Sequence, residues 1–242
     1  SFNSSFTSTL IPIVSSAKAS GNYENAIRKI DFSMLIAVLI GLPSSIGMIM
    51  LADPILELLF PNQPAGAFLL QISAISITFI MLNQNISAVL HGLGKTIIPA
   101  IALLMSSIIK LILNTILVKI NPDIFVLGGT AGAALATVVS HIFSFLISMY
   151  ILKKNIKINF GIRSIIKPII ATVMMTICMI FTYNCFLGIV SEKMCIILTI
   201  LIAIIIYIVL VLILRVFSDK EIKMLPCGEA IYSILMVLKV YK

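Results

Sequence analysis

The sequence predicts an all-α integral membrane protein, a polytopic helix bundle with about six complete transmembrane helices preceded by the end of a seventh. Composition is the first reason: 60% of the residues are hydrophobic and 11% charged, with a mean hydropathy of +1.19, where a soluble domain carries about 25% charged residues. The second is length. Apolar runs cover 32–52, 66–90, 97–118, 129–152, 164–187 and 194–214, each near the roughly 20 residues that a helix needs to cross the hydrocarbon core. None shows the alternating ten-residue segments of an outer-membrane barrel. The third is where the charge lies. With loops assigned alternately to two sides, Lys119 and Lys193 fall on one side and Lys110 falls inside a span. All the other basic residues, of 17, fall on the opposite side. That bias places the basic side in the cytoplasm, and it makes the net charge of +8 a feature of topology, not of nucleic-acid binding.

Taken in order, Ser1 to Val14 is apolar but too short to span. It reads as the tail of a helix that begins upstream, which makes the chain the C-terminal part of a longer protein. Gly21-Asn22 marks a turn, and Tyr23 to Ile30 mixes charged and apolar positions as a short cytoplasmic helix would. The first complete span carries Gly41-Leu42-Pro43-Ser44 at its middle, and a proline there removes a backbone bond. Gly41 and Pro43 are therefore hinge candidates, or else one of the prolines that membrane helices tolerate. The link Asp53 to Pro64 holds two acids and no base.

Span 66–90 is unusually polar. Gln71, Thr78 and Asn85 repeat every seven residues, and Gln84, Ser87 and His91 form a second line. Two faces of this helix therefore avoid lipid, either as polar contacts between helices or beside water. Gly92-Leu93-Gly94-Lys95-Thr96 is a tight turn, and Gly92 and Gly94 are further hinge candidates. Its Gly-Lys-Thr ending resembles the close of a phosphate loop, which requires another glycine five residues before Gly94; Val89 stands there, and the nucleotide reading fails.

Span 97–118 holds Lys110, roughly 20 Å from Ile97 and roughly 12 Å from Val118 along the helix. A lysine at that depth costs about 2.5–3.5 kcal/mol on insertion scales, so it faces a protein interior, a wet cavity or a partner. Ser106, Ser107 and Asn114 share its stripe, which reads as cavity-facing. Alternatively Lys110 snorkels toward Lys119 or bonds neighbouring helices. In the next span Gly129, Gly132, Ala133, Ala136 and Thr137 are small residues at spacings that let helix backbones approach. His141 continues that line, either as a packing residue bonded across the contact or as a cavity residue. The last two spans are almost wholly aliphatic. Beyond Phe217, a break at Leu225-Pro226-Cys227-Gly228 precedes Glu229 to Lys242, where Ile231, Leu235 and Leu238 suggest an amphipathic helix on the inner membrane surface.

The chemistry on offer is narrow. All nine acids lie in links or at span ends, whereas selection of cations or a carboxylate proton relay would place an Asp or Glu within the membrane. Lys110 with Asn114, Gln71, Gln84 and Asn85 instead forms a candidate cavity set suited to an anion such as a phosphate-linked headgroup. Cys178, Cys185, Cys195 and Cys227 lack CxxC spacing and read as small apolar packers. No catalytic constellation and no metal cluster is present in the pattern, so the chain is read as no enzyme, without a cofactor.

Several local patterns, in order, resemble the multidrug/oligosaccharidyl-lipid/polysaccharide exporter superfamily, and within it the stage V sporulation protein B type polysaccharide transporters, relatives of the MurJ lipid II flippases. They are Leu10-Ile11-Pro12 with Gly21-Asn22, Gly41-Leu42-Pro43, Pro54 to Phe60, His91-Gly92-Leu93-Gly94-Lys95, Lys110 with Leu113-Asn114, Gly132 to Thr137, and Leu225-Pro226. The resemblance implies a fourteen-helix protein of two six-helix lobes plus two extra helices. On that reading residues 1–152 are a partial C-terminal transport lobe, 153–215 the two additional helices, and 216–242 a cytoplasmic amphipathic tail. The implied activity is flipping of a lipid II-like, undecaprenyl-linked saccharide across the cytoplasmic membrane by alternating access, for polysaccharide, cell-wall or spore-cortex synthesis. The two aliphatic helices would form a groove for the polyprenyl tail, the missing N-terminal lobe would be the structural partner, and an ion gradient or the membrane potential would drive the cycle. A drug/cation antiporter is the alternative, and a membrane-embedded transferase a distant one.

Overall fold

The structure, a computed structural model, describes residues 2–60, 66–121 and 126–222. It is helical throughout these residues apart from turns and one isolated bridge between Leu187 and Val190. Six helical stretches are long and apolar enough to cross a membrane, Glu24–Met50, Gly66–Gly92, Ile97–Leu117, Gly129–Asn155, Ser164–Phe186 and Glu192–Ile213. Helices dominate because within hydrocarbon only a helix or a closed barrel satisfies every backbone group. The contacts divide the chain into two compact units, Ser1–Phe160 and Gly161–Lys242.

The first unit opens with α1 (Phe2–Ser20), which runs through Pro12, and α2 (Glu24–Met50). The segment Tyr23 to Ile30, expected as a separate surface helix, is instead the beginning of α2. Its charges are accommodated by local pairing, Arg28 meeting Glu24 at 3.4 Å and bonding Asn25 at 2.8 Å, so the helix has no reason to stop at the first charged turn. α2 also continues through Pro43. A short helix, α3 (Ala52–Leu59), occupies the beginning of the expected link.

The polar span is two helices, α4 (Gly66–Ala74) and α5 (Ser76–Gly92), interrupted at Ile75. There the Ile75 amide bonds Ile72 O at 3.2 Å and the Ser76 hydroxyl donates to Ser73 O at 2.6 Å. α5 ends in a cap in which Lys95 N donates to Leu90 O and Gly94 N to His91 O, with Gly94 at φ +75°. This is the six-residue C-terminal cap that requires a left-handed residue, which glycine supplies without strain. The Lys18 ammonium reinforces it by donating to Leu93 O at 2.8 Å.

α6 (Ile97–Leu117) and α7 (Gly129–Asn155) complete the unit. α6 packs chiefly on α7, α2 on α5, and α5 also on α1 and α7. Phe79 and Phe145 meet edge to face at 5.7 Å between α5 and α7, while Ile72, Ala131 and Val138 close the α4–α7 contact. Of α6 only Ala102 and Ser106 are buried, and Ile97, Leu104, Ile108 and Leu111 present an apolar outer face suited to acyl chains. Lys95 bonds the Asn155 side chain, and the Asp31 carboxylate accepts the amides of Asn159 at 3.2 Å and Phe160 at 3.1 Å.

The second unit is a hairpin of α8 (Ile162–Phe186) and α9 (Glu192–Ile213), followed by a single turn, α10 (Asp219–Ile222). Cys195, Thr199, Ala203, Tyr207 and Val211, four residues apart, form the buried stripe of α9, with Ala171, Thr172, Met175, Thr176 and Met179 buried on α8. The Thr172 and Thr176 hydroxyls donate to carbonyls one turn back, Pro168 O and Thr172 O. The opposite faces, including Ile177, Phe181, Leu201 and Ile205, are exposed and apolar. The Leu225-Pro226 break and the expected amphipathic helix Glu229 to Lys242 lie outside the described residues.

Candidate functional site

α5 carries its polar residues on two faces, and each face has its own partner. One face is fastened to α2. The Asn85 side chain, fully buried, accepts the Ser33 hydroxyl at 2.7 Å, and its amide nitrogen donates to Ser33 O at 3.4 Å and Met81 O at 3.3 Å. About two turns away along α5, the Ser45 and Thr78 hydroxyls bond at 3.0 Å. Hydrogen bonds of this kind hold membrane helices together where no hydrophobic effect separates helix from lipid.

The other face opens on a cavity of about 540 Å³. α5 contributes Asn83, Gln84, Ser87 and His91; α6 contributes Pro99, Leu103, Ser106, Ser107 and Lys110; α7 contributes Ser140, His141, Ser144 and Ser148; Thr7, Ser8 and Ile11 close it from α1. From Pro99 to Lys110 the lining follows α6 for roughly 17 Å, from the end of the bundle that carries Lys95, Lys153 and Lys154 to the depth of Lys110.

The electrostatics of this space are one-sided. Lys110 is half-buried and makes no hydrogen bond or ion pair among the described residues, and no Asp or Glu is among the lining side chains. Three of the lining serine hydroxyls spend their protons on their own helices: Ser106 and Ser107 donate to Leu103 O at 2.9 and 2.8 Å, and Ser140 to Thr137 O at 2.7 Å. Their remaining lone pairs accept hydrogen bonds. Asn83 is oriented by a 3.1 Å bond from its amide nitrogen to His141 O, which leaves its buried Oδ1 without a partner among the described residues. The cavity thus offers a cation to an anion and oxygen acceptors to hydroxyl or amide donors. A family profile described as lipid II flippase MurJ matches residues 2–225.

The chain belongs to the MurJ lipid II flippase family. It is similar to an uncharacterized membrane protein, YabM, of Bacillus subtilis (strain 168), with 34% identity over 139 residues that make up 57% of this chain and 25% of YabM. It is also similar to the lipid II flippase MurJ of the same organism, with 30% identity over 150 residues, 60% of this chain and 26% of that protein. A solved structure of lipid II flippase MurJ in an inward closed conformation superposes with a TM-score of 0.68 at 20% identity, over 88% of this chain and 43% of the other. The match therefore covers about a quarter of the length of the curated relatives and less than half of the solved chain. The MurJ fold is the fold of this chain, a multi-pass membrane protein of a transporter family and not an enzyme.

Within this MurJ-family chain the expected site residues separate. Lys110 and Gln84 line the cavity, as do Ser106 and Ser107 of the lysine stripe. Asn85 does not: one residue along from Gln84 is 100° around the helix, which turns its amide into the α2 contact. Gln71 is half-buried on α4, on the far side of the Ile75 interruption and away from the lining. Asn114, one turn past Lys110, lies beyond the cavity, with its Oδ1 buried and without a partner among the described residues.

The glycines serve close contacts. A Cβ at Gly41 would meet Thr78 Cα at 2.9 Å, one at Gly92 would meet Val14 Cβ at 2.7 Å, and one at Gly132 would meet Leu117 Cβ at 2.6 Å. Pro43 sits within continuous α2, Gly94 within the cap, and Gly129 at φ +59° where α7 begins. Ala136 is buried and Ala133 and Thr137 half-buried along the α7 stripe, with Thr137 bonding Ala133 O. His141, grouped with that packing stripe on spacing alone, lines the cavity. The lining residues that were not singled out, Asn83, Ser144, Ser148, Thr7 and Ser8, had one usable signal, the four-residue repeat of Ser140, Ser144 and Ser148 beside His141.

Proposed function

We propose that the chain is the cavity-bearing C-terminal lobe of a flippase that carries a lipid-linked saccharide diphosphate across the cytoplasmic membrane by alternating access. The observation that carries this reading is an ammonium at membrane depth in a serine-lined cavity whose described lining holds no carboxylate. An ammonium binds phosphate oxygens as a point charge, and does so more strongly where water is scarce. Sugar hydroxyls and acetamido N–H groups find acceptors in the serine oxygens and in Asn83 Oδ1, while the polyprenyl tail lies along apolar α8 and α9. The membership of the chain in the MurJ family supports a lipid II-like cargo and a place in cell-wall or spore-cortex synthesis. On this reading an N-terminal lobe supplies the facing half of the cavity, the basic end of the bundle and the C-terminus are cytoplasmic, and an ion gradient or the membrane potential drives the cycle.

The test is flipping of fluorescent lipid II by the full-length protein in vesicles. Lys110→Met abolishes most of the transport and Lys110→Arg retains part of it, with both variants folded. Unchanged transport by Lys110→Met removes Lys110 from the mechanism, and efflux of a lipophilic cation without lipid flipping would point to an antiporter instead.

A further inference from the structure

Lys110 on α6 and His141 on α7 face the same cavity from adjacent helices and are close enough to interact electrostatically. The His141 backbone carbonyl is occupied by Asn83 Nδ2 at 3.1 Å, whereas its ring makes no hydrogen bond among the described residues. His141 is half-buried and is among the residues that line the cavity. The titratable and charged groups facing it are few. α6 presents Lys110 and α5 presents His91; the α1 lining, Thr7, Ser8 and Ile11, does not titrate, and α4, which also packs on α7, carries no titratable side chain.

We propose that His141 is a second, titratable anion-binding group of the cavity, so that uptake of a proton and uptake of a diphosphate support each other. The inference rests on the cargo reading above. An imidazole is the side chain that gains a charge on mild acidification, and a proton on His141 takes the Lys110–His141 pair from one positive charge to two, a state that an anion in the cavity favours. With no carboxylate in the described lining, an incoming anion balances the second charge. Linkage is reciprocal: whatever the proton adds to anion affinity, the anion adds to proton affinity. Such a pair makes cargo occupancy respond to the proton activity on whichever side the cavity faces.

The experiment measures binding of UDP-N-acetylglucosamine to the full-length protein in detergent by titration calorimetry at pH 5.5 and 8.0. The probe is a diphosphate diester whose charge is constant over this range, so a slope reports the protein. Wild type binds about fivefold more tightly at pH 5.5, the scale of one added charge at partly screened distance. His141→Gln binds equally at both pH values. A His141→Gln protein that melts like wild type and keeps the slope overturns the proposal. His141→Asn, which preserves a polar packing group, provides a second variant; loss of folding in both assigns His141 to packing and likewise overturns it. Failure of the cargo reading looks different: Lys110→Met then binds as wild type does at pH 8.0, or wild type binds at neither pH, and either result removes the basis for both.

Discussion

Gly41 and Thr78 approach so closely that a methyl group on Gly41 would lie 2.9 Å from the Thr78 Cα. Backbone cannot yield as the end of a side chain can, so Gly41→Ala pushes α2 and α5 apart and disturbs the Ser45–Thr78 bond beside it. Overpacking of this kind costs about 1–3 kcal/mol. A thermal melt of the full-length protein in detergent will show a lowered midpoint for Gly41→Ala, whereas Gly47→Ala, with nothing within 4 Å of the added carbon, leaves it in place.

Asn85 and Ser33 form a buried pair in which each supplies what the other lacks. Ser33→Ala, Asn85→Leu and the double variant will give a coupling energy of about 0.6–1.7 kcal/mol, the range from average to maximum for hydrogen bonds between membrane helices. Reversible unfolding in mixed micelles provides the measurement; additive single effects would show that the pair contributes nothing jointly.

The cavity lining is expected to be reachable from water and the apolar outer face of α6 to lie against acyl chains. In a background without the native cysteines, Ser106→Cys and Ser144→Cys will react with a membrane-impermeant thiosulfonate, since both positions line the cavity. Leu104→Cys, which is 61% exposed but on the apolar outer face, will react at least tenfold more slowly, because the thiolate that does the chemistry does not form in hydrocarbon. Equal rates at the three positions would contradict this assignment of faces.

Gly94 holds the cap of α5 at φ +75°. Gly94→Ala places a Cβ in a left-handed residue and costs about 1 kcal/mol, and Gly94→Asn costs less, because asparagine tolerates that conformation. Ranked melting midpoints, glycine above asparagine above alanine, are the expected result.

Asp31 fastens the chain at Asn159 and Phe160 through two amide hydrogen bonds. Asp31→Ala removes both, and limited trypsin digestion of the protein in open membranes will then cut after Lys157 several-fold faster than in wild type. An unchanged cleavage rate would mean that other contacts hold this segment.

The spans were legible because hydropathy and helical periodicity are local properties, and the lysine stripe because Ser106, Ser107 and Lys110 fall on one side of a single helix. The break at Ile75 was not, since no proline or glycine marks it and the Ser76–Ser73 bond that accompanies it involves residues common in unbroken helices. For α5 the pattern disclosed two polar faces but not what each meets. That depends on where α2, α6 and α7 come to lie, which the pattern within α5 does not carry. The same dependence separated Gln84 from Asn85, and moved His141 from a packing stripe to the lining.

Asn83, Gln84 and Asn85 are consecutive amides with similar side chains, yet the first two line the cavity and the third is bonded into the α2 contact. On the proposed flippase reading a codon-by-codon survey of this tripeptide will sort into dissimilar defects: replacements at 84 yield abundant protein that carries its cargo poorly, and replacements at 85 yield protein that quality control removes, with 83, which both lines the cavity and bonds His141 O, showing some of each.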